Sequence, residues 1–255
     1  MSEPTRFDIA GLRAVVTGAG LGIGAEIARL LARQGARVAL GDVNHDSVRD
    51  LAQTLSAEKC EAIALPLDVR SKQSFLDARS NVLERWSGVD ILVNAAAVTI
   101  RKSIFDITAD EFDTVMAVNL RGILFACQVF GETMQSARFG RIVNLTSVAG
   151  QTGGSPGAGA HYAASKAGII VLTKLFAKEL AKTGVTVNAV APGPIASPKI
   201  DAMPPETSAA ILAGVPVGRF GTALEVAEVV ALLASRSMGY VTGATWDING
   251  GMSMR

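Results

Sequence analysis

Two textures alternate along this chain. Short runs of β-branched and aliphatic residues recur as RAVVT (13–17), ARVAL (36–40), AIALPL (62–67), DILVNA (90–95), RIVNLT (141–146) and VTVNAVA (185–191), with TWDI (245–248) as a weaker seventh. These runs are apolar almost throughout, the pattern of strands covered on both faces by helices. Between them apolar positions fall three and four apart. Ile23, Ile27, Leu30 and Leu31 form one such stripe, and Val48, Leu51, Ala52 and Leu55 another. The segment 107–134 continues it with Phe112, Val115, Met116, Leu120, Leu124 and Val129, followed by 163–181 and 223–234. That spacing predicts amphipathic helices. Strand, helix, strand in repetition predicts an α/β fold with parallel strands joined by right-handed crossovers. No linker or short-period repeat interrupts the rhythm, so 1–255 reads as one domain. The least regular stretch, 192–222, is rich in Pro, Ala and Gly; it predicts a loop with one short helix, long enough to serve as a substrate lid.

Composition narrows the function classes. Hydrophobic residues make up 49% of the 255 and charged residues 18%, enough apolar material for a sizeable core. Twenty-four basic and 23 acidic residues leave a net charge of +1, without the basic footprint of a nucleic-acid partner. Cys60 and Cys127, with only two histidines, lack the ligand number and spacing of a metal site. They are expected as buried, reduced thiols, as in a cytoplasmic protein. The start MSEPTRFDIAGLRAVV has no signal-peptide pattern, and no apolar run approaches the ~20 residues of a membrane helix. A soluble cytoplasmic protein without a membrane partner is expected.

Candidate chemistry begins at TGAGLGIG (17–24), where the first strand runs into the first helix. Glycines there let backbone approach a phosphate, and the helix N-terminus favours its negative charge. Gly18, Gly22 and Gly24 give T-G-x-x-x-G-x-G, whereas Gly20, Gly22 and Ala25 also fit G-x-G-x-x-G, so the glycines alone do not choose between patterns. Asp42 ends the next strand, eighteen residues after Gly24. A carboxylate there accepts hydrogen bonds from ribose hydroxyls and repels the extra phosphate of NADP, which favours NAD. No arginine occupies 41–44 to offset it. The plainer alternative for Asp42 is a turn or helix-capping residue.

The second constellation is SVAGQTGGSPGAGAHYAASK (147–166). A helix starting near 161 places Tyr162 and Lys166 one turn apart on one face. A free phenol titrates near 10, and a cation within ~4–6 Å lowers that value, so the tyrosine can work as acid or base. The alternative is a packed aromatic beside a solvated lysine. T-S-V-A-G does not match the G-x-S-x-G of serine hydrolases, so His161 is expected at the helix start or pocket wall, and His45 on the surface at the adenosine end.

With T-G-x-x-x-G-x-G, Y-A-A-S-K, NLTSVAG and AVNLRG together, the chain resembles the short-chain dehydrogenase/reductase family over nearly its whole length. The resemblance implies a single-domain Rossmann fold with a doubly wound seven-stranded parallel sheet in the order 3-2-1-4-5-6-7. It implies a tetrad of Asn119 (proton relay), Ser147 (carbonyl polarisation), Tyr162 (acid/base) and Lys166 (phenol activation and ribose binding). It implies an NAD site built from Thr17, Gly18, Gly20, Leu21, Gly22, Ile23, Gly24, Asp42, Val43, Asp68, Val69, Asn94, Ala95 and Ala96. Tyr162, Lys166, Pro192, Gly193, Ile195 and Ser197 complete it, Asp68 facing adenine and Ile195 the carboxamide. N-A-A-A at 94–97 departs from the family's N-N-A-G.

The texture is similar to that of 3-oxoacyl-thioester reductases of the acyl-carrier-protein type, notably VPVGRFG (215–221) and Arg138, placed where such enzymes carry a basic residue at the pocket mouth. Lys182 and Thr183 reproduce a second arginine only in part, so a carrier-protein partner is incompletely supported. An NAD-linked polyol, sugar or hydroxy-acid dehydrogenase is the alternative, and a non-catalytic dinucleotide-sensing module the alternative from another class. The resemblance further implies a homotetramer or homodimer through helices 107–134 and 161–181. Ser147 and Tyr162 lie fifteen residues apart, and the glycine-rich stretch between them is expected to border the substrate pocket.

Overall fold

The computed structural model describes residues 7–154 and 159–254. Seven strands form one parallel sheet in the order β3-β2-β1-β4-β5-β6-β7. They are β1 Arg13–Thr17, β2 Arg37–Asp42, β3 Ala62–Pro66, β4 Ile91–Asn94, β5 Gly140–Leu145, β6 Val185–Pro192 and β7 Thr245–Ile248. Alternate residues of each strand serve opposite cores. Ala14 and Val16 pack under α1 (Gly22–Arg33), α2 (His45–Ala57) and α10 (Ala223–Ala234), where Ile27, Leu31 and Val230 are fully buried. Val15 and Leu92 pack under α3 (Lys72–Trp86), α5 (Gly122–Ala137) and α7 (Ala160–Leu180), where Phe75 meets Phe130 edge-on at 6.3 Å. Burying each such side chain contributes ~1.5–3 kcal/mol, which is why the strands read as continuous apolar runs.

Register gathers the chemistry at one edge. Thr17 is level with Gly41 and Asn94, and Leu145 with Val190. The TGAGLGIG turn, Asp42, the exit of β4 and Ser147 therefore share the C-terminal edge of the sheet, where open α/β sheets bind ligands. Arg138 lies at the other edge. It ends α5 with a left-handed φ of 54° and precedes β5, whereas Ser147 follows β5. Within one chain it does not border the pocket mouth, contrary to its expected place.

Three segments differ from their periodic reading. The helix expected over 107–134 starts at Ala109, because Thr108 and Glu111 form a reciprocal capping box, and it runs on to Ala137. It is α4 (Ala109–Met116), a π-helical turn (Ala117–Arg121) and α5 in series. By length and composition 109–137 is apolar enough to cross a membrane, but half of that apolar window is buried inside the protein. The glycine-rich connector contains α6 (Ala149–Thr152), a single turn. The 192–222 segment holds two helices rather than one, α8 (Pro198–Asp201) and α9 (Pro205–Ala213), each opening on a proline whose fixed φ suits the first helical turn. Cys127 is buried, with its thiol pushed up to about 12 by burial, while Cys60 is only half-buried.

Candidate active site

A cleft of about 590 Å³ opens where β1, β2 and β4 end. Gly18, Leu21, Gly22, Ile23 and Gly24 form its floor. The first turn of α1 has no side-chain cap, since Leu21 occupies the N-cap. Its orphan N–H groups therefore point at whatever fills the cleft, a ready seat for an anion. Gly22 has φ +60° and open space where a Cβ would stand, and a Cβ on Gly18 would lie 2.6 Å from the Ala96 backbone. The turn and the β4 exit thus touch through glycine, and alanine at 95–97 does not prevent that approach.

Asp42 and Val43 close one end of the cleft, and Asp68 and Val69 the adjoining wall. Both Asp42 oxygens are held, Oδ2 by the Gly20 N–H at 3.0 Å and Oδ1 by the Asn44 N–H at 2.9 Å. Asp68 is chelated by Arg70 at 2.7–3.1 Å, and this partner lowers its carboxyl pKa. Arg70 also lines the cleft and was not expected there. Some predicted contacts are elsewhere. Thr17 is buried, its hydroxyl accepting the Ala95 and Ala96 N–H groups at 3.1 and 3.3 Å. Asn94 is buried under the sheet edge, where it donates to Asn144 at 2.8 Å. Both position the cleft rather than face it. Pro192 ends β6, Gly193, Ile195 and Ser197 follow it, and none of the four lines the cleft; Ile195 pairs with Gly221 in an isolated bridge.

The tetrad residues converge beside this cleft. The Tyr162 hydroxyl faces the side chains of Ser147 and Thr99, both of which favour its ionised form. Ser147 Oγ also accepts the Ala149 N–H at 3.2 Å, which leaves its proton for the phenol side. Lys166 lies one turn on, 5.6 Å from the Tyr162 ring centre, and its Nζ donates to the Leu145 carbonyl at 2.7 Å. A Cβ on Gly150 would lie 2.6 Å from the Lys166 backbone, so α6 presses directly on α7 and holds Ser147 against Tyr162. Residues 155–158 of the connector, expected to border the substrate pocket, lie outside the described residues.

The electrostatics differ from the simple cation argument. Burial pushes the Tyr162 phenol up, and the Ser147 and Thr99 hydrogen bonds only partly oppose it. Burial also pushes Lys166 down to about 7. The ammonium is itself desolvated and faces a carbonyl, so in this state it does not draw the phenol below its ordinary range. Asn119, fully buried, spends its side-chain amide on the Val98 backbone and on Ser165 Oγ. Sequence reading missed Thr99, whose stretch NAAAVTI carries no periodic signal. His161 is the second residue of α7 and buried, with both ring nitrogens unpaired among the described residues. His45 is exposed at the start of α2.

A doubly wound sheet with an anion-seating glycine turn beside a Ser–Tyr–Lys cluster defines a dinucleotide-dependent oxidoreductase. Comparison with known proteins gives the family. The model described as enoyl-(acyl carrier protein) reductase matches residues 18–253. Nodulation protein G of Rhizobium sp. (strain N33) is 41% identical over 250 residues, 97% of this chain and 99% of that protein. A 3-oxoacyl-[acyl-carrier-protein] reductase of Staphylococcus epidermidis is 38% identical over 242 residues, 94% of this chain and 98% of that one. Two structures of 3-oxoacyl-[acyl-carrier protein] reductase from Brucella melitensis align with TM-scores of 0.93 and 0.90. Each is 33% identical and covers 98% of this chain and 94% of its own, the second with bound NAD. The chain belongs to the short-chain dehydrogenase/reductase family. It is an oxidoreductase of CH–OH and C=O groups that uses a nicotinamide cofactor.

Proposed function

We propose that the protein interconverts a secondary alcohol and a ketone with NAD(H), Tyr162 acting as general acid/base, on a 3-oxoacyl thioester or a close analogue. The observation that carries this reading is the half-buried Tyr162, whose hydroxyl faces Ser147 and Thr99 one helical turn from Lys166. The residues of the cleft fit a dinucleotide: the uncapped α1 turn and the open face of Gly22 suit its diphosphate. Asp42 suits a ribose diol at the adenosine end. When bound, the nicotinamide ring supplies or accepts the hydride. Tyr162 gives its phenolic proton to the nascent alkoxide during reduction and takes the alcohol proton during oxidation. Ser147 donates to the same carbonyl oxygen, and Lys166, one helical turn from the phenol, serves the cofactor's ribose.

Asp42 supports NAD over NADP, because its carboxylate is fixed in place and opposes a 2′-phosphate. The same residue favours the second reading, an NAD-linked polyol, sugar or hydroxy-acid dehydrogenase. The test is a screen of 3-oxoacyl thioesters, polyols, sugars and hydroxy acids with both cofactors. Turnover of acetoacetyl-CoA with kcat/KM at least about 10-fold higher for NADH than for NADPH is expected from one unfavourable charge pair. A clear NADPH preference overturns the role given to Asp42, and turnover of only alcohol substrates moves the assignment to the second reading. The short-chain reductases among its relatives support a cytoplasmic enzyme, with α8 and α9 as the substrate lid. An acyl-carrier-protein partner would dock away from this chain's own pocket, since Arg138 is at the far sheet edge.

Phe112, Val171 and Leu175 leave apolar surface exposed on α4 and α7. Large apolar patches of this kind mark protein interfaces. We propose that these helices join copies into a homodimer or homotetramer. Sedimentation velocity is expected to show two or four subunits, and a monomer at micromolar concentration removes the interface.

A further inference from the structure

The loop that leaves β4 carries a cation without an acid. Lys102 is neutralised by the Glu111 carboxylate at 2.8 and 3.0 Å. Arg70, at the cleft wall, and Arg219, beyond α9, are likewise held by Asp68 and Glu225. Arg101 is exposed and forms no ion pair among the described residues. Its backbone is nevertheless fixed. The Val98 N–H donates to Asn119 Oδ1 at 2.8 Å, and Asn119 Nδ2 donates to the Val98 carbonyl at 3.0 Å. The Ile100 carbonyl lies against Gly159, the N-cap of α7, where a Cβ would stand 2.8 Å from it. Arg101 therefore leaves the loop beside the start of the helix that carries Tyr162. From there Nη2 reaches Met203 Sδ at 3.9 Å, in the link between α8 and α9. The guanidinium spans from the rim of the active site to the lid segment. Asp201, two positions before Met203, is exposed and forms no ion pair with it. A thioether is a weak acceptor, so most of the five guanidinium donors remain for another partner.

We propose that Arg101 is a specificity-determining residue that binds an oxyanion carried by the substrate, a phosphate or a carboxylate, at the mouth of the site. The inference rests on the reading of the Ser147–Tyr162–Lys166 cluster as the place where the ketone reacts. A guanidinium offers parallel N–H donors that match two oxygens of either group, and such charge-assisted pairs are stronger than neutral ones. The anion draws the fork from the Met203 sulfur, which gives up only a weak contact. Because the loop is pinned at Val98 and Ile100, little backbone freedom is lost when the anion binds. An arginine kept only for a solvated surface needs neither the pinned loop nor a place against the lid. A thioester on a phosphopantetheine arm carries a phosphate, and an oxo or hydroxy acid carries a carboxylate. A neutral polyol or sugar offers Arg101 nothing. The inference therefore selects the thioester and acid substrates over polyols and sugars.

The test is calorimetric binding to the whole protein saturated with NAD. The oxidised cofactor cannot reduce a ketone, so affinity is read without turnover. Two matched pairs of probes each differ by one anionic group. Acetoacetyl-phosphopantetheine is compared with acetoacetyl-pantetheine, and acetoacetate with its methyl ester. Wild type is expected to bind the anionic member of one pair about 10-fold more tightly, the value of a hydrogen bond between charged groups. The pair that shows the preference identifies phosphate or carboxylate. Arg101→Gln is expected to bring that ratio close to one. Arg101→Lys, which keeps the charge and loses the fork, is expected to fall between. Added salt should weaken the preference in wild type. Met203→Leu, which keeps the cation, should retain it. A wild type without anion preference in either pair overturns the inference, and so does a preference that persists in Arg101→Gln. Equal loss in Met203→Leu overturns it as well, by showing a lid-packing role. If thermal melting shows Arg101→Gln to be unfolded, Arg101→Lys and the salt titration of wild type decide the matter. Full activity in Tyr162→Phe defeats the acid/base reading separately, because these affinities do not depend on turnover.

Discussion

Tyr162→Phe is expected to lose about 10²- to 10⁴-fold in kcat while cofactor affinity changes little, the usual worth of a positioned general acid. The ring keeps its place on α7, so the loss isolates the hydroxyl. Ser147 and the nicotinamide site remain, and residual turnover would measure what polarisation achieves without a proton donor. The direction of the phenol shift adds a pH signature. Burial holds Tyr162 above the ordinary tyrosine range in the cofactor-free protein. The acid form is then abundant throughout neutral pH, which suits carbonyl reduction. Reduction is expected to stay level through neutral pH and to fall only in alkali, whereas oxidation, which needs the phenolate, is expected to rise there. Steady-state kcat profiles in both directions check this, with a thermal melt confirming that the variant is folded. Undiminished kcat in Tyr162→Phe would remove the proposed mechanism.

Lys166→Met is expected to abolish most activity and yet to stabilise the cofactor-free protein. Lys166 is 2% exposed and fixes its Nζ on the Leu145 carbonyl, without a carboxylate partner among the described residues. Burial lowers its pKa from 10.5 to about 7. Between those values the unfolded chain binds the proton and the folded chain largely does not. Stability therefore rises with pH from about 7 to 10.5, and the lysine is most costly to folding below 7. Methionine has a similar length and no charge to desolvate, so a gain of roughly 1–3 kcal/mol at pH 7 is expected, the scale seen when buried charges are replaced by apolar residues. For a chain of this size that is about 2–4 °C in Tm per kcal/mol. Melting both proteins at pH 6.5 and 9.5 checks it: the advantage of the variant should shrink at the higher pH. A variant no more stable than wild type at pH 7 would show that the carbonyl contact compensates for burial.

Much of this was readable from residue order. The strands show because helices cover both faces, so Val15 and Val16 are both apolar although they serve opposite cores. The glycine turn, Asp42 and the Tyr162–Lys166 spacing show because each is local. What escaped was non-local. Thr99 stands 63 positions before Tyr162, and nothing in NAAAVTI signals that its loop folds back onto the phenol. The Tyr162 shift was read from the neighbouring cation alone, but burial acts on both groups and leaves Lys166 too desolvated to dominate. Arg138 was placed by resemblance at the pocket mouth, although β5 lies between it and Ser147 and sends the two to opposite edges. Thr17 and Asn94 enter the expected cofactor site by resemblance, but their side chains turn inward to tie β1, β4 and β5 together.

The turn around Asp42 bears on how cofactor preference could change. Its carboxylate is the acceptor for the Gly20 and Asn44 amides, so one group both joins the glycine turn to the start of α2 and confronts the adenosine ribose. A substitution that welcomes a 2′-phosphate also releases two backbone donors at the rim of the cleft. An evolutionary or engineered route to the phosphorylated cofactor therefore begins with a loosened scaffold. It requires a second change that ties the turn again, so the two cofactor preferences are separated by a valley rather than a single step.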